Sequence, residues 1–117
     1  MKKKDNNLLE FIPYKNLSYI SDREEDNNRI TIIIKRNSKI DKIILKIFRK
    51  AHKELYVHLD EIGSFIWRNI DGKKTVLNLC EVFMREHNVE QSEAINRTVY
   101  FLKILKNNKF IKFTVNR

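Results

Sequence analysis

Between residues 60 and 106, apolar side chains recur at helical spacing in three successive stripes, and that rhythm leaves this half of the chain little choice of fold. Ile62, Phe65, Ile66 and Trp67 form the first stripe, which stops at Asp71-Gly72, where a glycine accepts the left-handed conformation that ends a helix. Val76, Leu79, Cys80, Phe83 and Met84 form the second, reaching about His87, with Thr75 placed to cap its start. Asn88 and Gln91 sit in a capping-box pattern ahead of the third, where Ile95, Val99, Leu102 and Leu105, flanked by Thr98 and Phe101, run to about Lys106.

The rest of the chain has a shorter period. Residues 29–36 are β-branched and read as a strand; in 55–59 Leu55, Val57 and Leu59 alternate with Tyr56 and His58, and 110–115 is a third candidate. The apolar piece 8–14 contains Pro13, which demotes it to an edge strand or an extended arm. The run 21–28 has no apolar residue and reads as a loop. Ile40, Ile43, Ile44, Ile47 and Phe48 make one face of a further helix, capped by Ser38 or Asn37, with Lys39, Lys42, Lys46, Arg49 and Lys50 opposite. The expected architecture is a single α+β domain over 1–117 with a winged helix-turn-helix outline: a small antiparallel sheet plus a three-helix C-terminal bundle. Residues 1–29 supply an arm and polar loop, 30–59 the strands and basic helix, and 60–115 the helix-turn-helix with its last strand. Two glycines and one proline in 117 residues suit long elements rather than many tight turns.

Charge excludes less than its total suggests. The formal net charge is +9, yet the A/T-codon residues Lys, Ile and Asn make up 45 of the 117 positions, so codon bias contributes to it. By segment, residues 1–34 are neutral, 35–53 carry +7, 54–102 carry −3 and 103–117 carry +5. A DNA-reading third helix would present its N-terminal end to the groove between phosphates, and here that end holds Glu90 and Glu93, with Lys103 and Lys106 at the far end. A small DNA-binding regulator is therefore the alternative reading and not the first. No run is long and apolar enough to span a membrane, and the basic start lacks a signal peptide's apolar stretch; both point to the cytoplasm.

An enzyme is not expected. His52, His58, His87 and Cys80 are not at paired metal-ligand spacing, so no metal or other cofactor is implied. Cys80 falls on an apolar stripe and reads as a buried small hydrophobe. With two glycines there is no phosphate-cradling loop, and Asp60-Glu61 favour a helix start and do not form a catalytic pair.

The spacing Leu59-Asp60, Gly63, Trp67, Ile70-Asp71-Gly72, Thr75-Val76, followed by Phe101-Leu102, Leu105, Asn108 and Phe110-Ile111, resembles the PqqD family. That resemblance covers about 55–113 and implies a peptide-recognition module. Such a module holds the leader of a ribosomally made precursor peptide by strand addition and presents it to a modifying enzyme, often of the radical SAM class. It implies a peptide-binding set of Tyr56, Val57 and His58 on the strand and Arg97, Thr98, Phe101 and Leu102 on the third helix, with Phe101 and Leu102 also candidates for the core. The two basic segments suit a leader rich in acidic residues. A structural or oligomer-forming role, with a homodimer covering the 55–59 edge, is a further alternative.

Overall fold

A computed structural model describes residues 8–34 and 55–115. Its center is β3 (Ile30–Ile34), a run of β-branched residues that carries a strand on each side. β2 (Ile20–Glu24) and β4 (Leu55–His58) flank it antiparallel, in the order β2-β3-β4. Arg23 lies opposite Thr31 and Thr31 opposite His58, so one residue from each strand shares a row on one face. A separate two-stranded ribbon pairs β1 (Phe11–Lys15) with β5 (Ile111–Val115). Pro13 is tolerated there because each strand of a two-stranded ribbon has only one paired edge. The single small sheet expected from the sequence is thus two sheets, within an α+β fold.

Three helices follow β4. In α1 (Glu61–Asn69) the Asp60 carboxylate accepts from the Gly63 N–H at 2.7 Å, closing the first turn. Beyond it Gly72 has φ +76°, and the Asp71 carboxylate accepts from the N–H groups of Lys73 and Lys74, both at 2.9 Å. α2 (Val76–His87) opens on a reciprocal capping box between Thr75 and Asn78. α3 (Gln91–Asn107) buries Ala94, Thr98, Leu102 and Leu105. Trp67, Phe83, Leu102, Ile20 and Ile32 are fully buried where helices and sheet meet. Large apolar side chains of this kind each stabilise the fold by about 1.5–3 kcal/mol relative to exposure.

Two local expectations are corrected. The run 21–28 is a loop only in its second half, since β2 extends through Glu24. Its acidic side chains reach α1: Asp22 accepts from the Trp67 indole at 2.8 Å, and Glu24 takes Arg68 at 3.0 and 3.1 Å. Main-chain pairing and these polar anchors replace the apolar alternation that normally marks a strand. Asn88 does not open α3; it closes α2 in the left-handed conformation at φ 54°, and Glu90 precedes α3 without a side-chain cap bond. The basic helix expected around 40–50 lies outside the described residues.

Candidate functional site

The strand β4 turns its backbone in two directions. Leu59 donates to the Ile30 carbonyl at 2.9 Å, which in antiparallel alternation makes Val57 and Leu55 the residues that bond to β3. The N–H and C=O groups of Tyr56 and His58 therefore point away from β3. Among the described residues β4 pairs with β3 alone.

One carboxylate anchors the two groups that contact the outer-face side chains. Glu25 accepts from Arg23 Nε at 3.0 Å and from the Thr31 hydroxyl at 2.6 Å. Thr31 lies 2.9 Å from His58 Nδ1, and the Arg23 guanidinium sits over the Tyr56 ring at 5.4 Å. The Thr31 hydrogen bond, then that of Arg23, keeps the Glu25 carboxyl below its ordinary value of 4.5. A cavity of about 290 Å³ opens beside this chain of contacts, lined by Glu25, Arg29, Thr31, His58 and Asp60. Sequence reasoning named Tyr56 and His58 as candidates and did not name Arg23, Glu25 and Thr31, which stand beside them. Strand register sets Arg23 and His58 on either side of Thr31, and no local signal marked that row.

The helix residues divide. Arg97 is exposed and ion-paired with Glu93 at 3.3 Å, while Phe101 is half-buried. Thr98 and Leu102 have no accessible surface, so they support the helix from the core and cannot line a groove. The Thr98 hydroxyl is buried in that core. It lies beside Cys80, whose thiol burial pushes up to about 11, which keeps the thiol protonated and inert.

Phe101 ties α3 to the chain just past β4. A Cβ added to Gly63 would come within 3.2 Å of the Phe101 ring and 3.1 Å of the Asp60 carboxylate, so a larger residue here must displace one of them by a few tenths of an ångström. On the opposite flank of α3 a groove of about 450 Å³ is lined by Leu8, Leu9, Ile95, Val99, Tyr100 and Lys103. The sheet edge and this groove have no lining residue in common, and Phe101 packs beside Gly63 in α1.

Among the described residues no group of three or more His, Cys, Asp or Glu could hold a metal ion, and no helix is long and apolar enough to cross a membrane. His87 packs against Phe83 and Phe65, with ring centroids 4.5 and 4.8 Å away.

A family model described as coenzyme PQQ synthesis protein D (PqqD) matches residues 51–111, more than half of the chain. The protein belongs to the PqqD family, a family of precursor-peptide recognition elements. Such domains are accessory and chaperone-like rather than catalytic, and they serve as peptide-binding partners of biosynthetic enzymes. No curated protein and no solved structure matches the chain. The match takes in β4, the three helices and the first residue of β5, and it leaves out β1, β2 and β3.

Proposed function

We propose that this chain binds the leader segment of a ribosomally synthesised precursor peptide by adding it as a strand beside β4, and presents it to a radical SAM modifying enzyme in the cytoplasm. The observation that carries this reading is the outward direction of the His58 main-chain groups at the sheet edge. An incoming strand bonds to those groups while the flank of α3 with Arg97 and Phe101 supplies side-chain contacts. On this reading the sheet and the three helices form a winged helix-turn-helix whose wing edge takes a peptide. Against nucleic acid stands the first turn of α3, where Glu93 is exposed and Arg97 is already paired with it.

The test is a titration with the product of a short open reading frame encoded beside this protein, following backbone amides by NMR. The amides of Tyr56 and His58 shift most, and deuterium exchange at both slows on binding. A peptide that binds without moving any amide of residues 55–59 excludes strand addition at this edge.

A further inference from the structure

The contacts at the sheet edge determine which nitrogen of His58 carries hydrogen. A threonine hydroxyl has one proton to give. Thr31 stands between Glu25 Oε2 at 2.6 Å and His58 Nδ1 at 2.9 Å. Glu25, which also accepts from Arg23, is ionised at neutral pH and can only accept. The Thr31 proton therefore goes to Glu25, and the Thr31 oxygen must accept from His58. That makes His58 the Nδ1–H tautomer, which places the lone pair of the neutral ring on Nε2, across the ring from Thr31.

Arg23, Thr31 and His58 form one cross-strand row, so a strand added beside β4 extends that row by one residue. Its side chain then stands about 5 Å from that of His58, within reach of Nε2. We propose that His58 selects the bound peptide by offering the Nε2 lone pair to a hydrogen-bond donor on the peptide side chain opposite it. The inference rests on the strand-addition reading and adds to it a chemical class for one position: a hydroxyl, amide or ammonium side chain. Charges around the same cavity are balanced, with Glu25 and Asp60 against Arg29 and the Arg23 paired to Glu25, so the Nε2 lone pair makes the distinction. An ionised Asp or Glu at that position has no proton to give the lone pair and is disfavored, even in a leader that is acidic elsewhere.

Two measurements test this. Long-range nitrogen–proton NMR of the imidazole reads the tautomer in the free protein: hydrogen on Nδ1 is expected, and hydrogen on Nε2 overturns the inference. Thr31→Val removes the acceptor and is expected to move the hydrogen to Nε2. A phage-displayed library of random peptides, selected on the wild-type protein, then reads specificity. Binders that shift the 55–59 amides should favor donor side chains over Asp and Glu by about tenfold at one position, the size of a single hydrogen bond. That preference disappears in His58→Leu and turns toward acceptors in Thr31→Val. An unchanged profile in both variants overturns the role of His58 and leaves strand addition standing. A library that yields no binder at this edge overturns both.

Discussion

β4 and α3 flank the candidate site and are held in place by different forces. On the outer face of β4, Tyr56 and His58 are oriented by polar contacts of the exposed Arg23, the half-buried Glu25 and the buried Thr31. α3 is held by burial of Ala94, Thr98, Leu102 and Leu105. Exposed polar contacts contribute little to stability but fix direction, whereas buried apolar contacts contribute much and set position. Binding and stability should therefore separate: changes on the strand's outer face alter recognition, and changes on the inner face of α3 alter folding.

Leu102→Ala should have the largest effect, destabilising by about 2–5 kcal/mol in urea unfolding because it opens a cavity in a fully buried site. Peptide affinity of the folded fraction should hold within about twofold; a much larger loss would make α3 part of the recognition surface through its core face. Proline substitutions sharpen the contrast on the strand. Val57→Pro removes a donor to β3 and should cost about 1–3 kcal/mol. His58→Pro removes a donor that points away from β3, costs less stability, and should weaken peptide binding about tenfold or more by calorimetry. Equal stability loss in the two would mean that the alternation along β4 is the reverse of that derived from the Leu59 hydrogen bond.

Gly63→Ala tests the joint between the two elements. Alanine is normally the better helix former, but here the added methyl crowds Phe101 at 3.2 Å, so a net destabilisation of about 1 kcal/mol is expected. Trimming the ring in Gly63→Ala/Phe101→Leu should recover part of that loss. The smallest effect is in pH. Glu25 and Asp71 are both held below their ordinary values of 4.5 and 3.8, Glu25 mainly by Thr31 and Asp71 mainly by the Lys74 N–H. A carboxyl depressed on folding stabilises above its unfolded value, and that contribution is lost as pH falls through the folded one. Urea midpoints should therefore fall below about pH 4, and Asp71→Asn should flatten part of that slope.

The three helices were legible because each one's signals lie within a turn or two along the chain. Thr75 caps α2 with its own neighbor Asn78, and Gly72 takes the left-handed turn that its place after Asp71 predicts. Asn88 was misread because asparagine suits both a helix start and a left-handed end, and only the neighboring backbone decides between them. β2 was missed for a different reason. Its acidic side chains gain their partners from Trp67 and Arg68, more than forty residues away.

Tyr56 and His58 could be picked out in the sequence, through the family spacing and the alternation of their strand. Thr98 and Leu102 could not be separated from Arg97 and Phe101, because a helix carrying apolar residues on more than one side does not declare which side is inward. The sequence by itself determined the helical half, the apolar face of β4 and the family. Tertiary structure alone decided that the first half of a supposed loop is a strand, that Glu25 and Thr31 stand between Arg23 and His58, and that Thr98 and Leu102 are the buried members of the helix set. The physical reason is range: periodicity and capping are written within a few residues, while register and burial are settled by segments that meet only once the chain has folded.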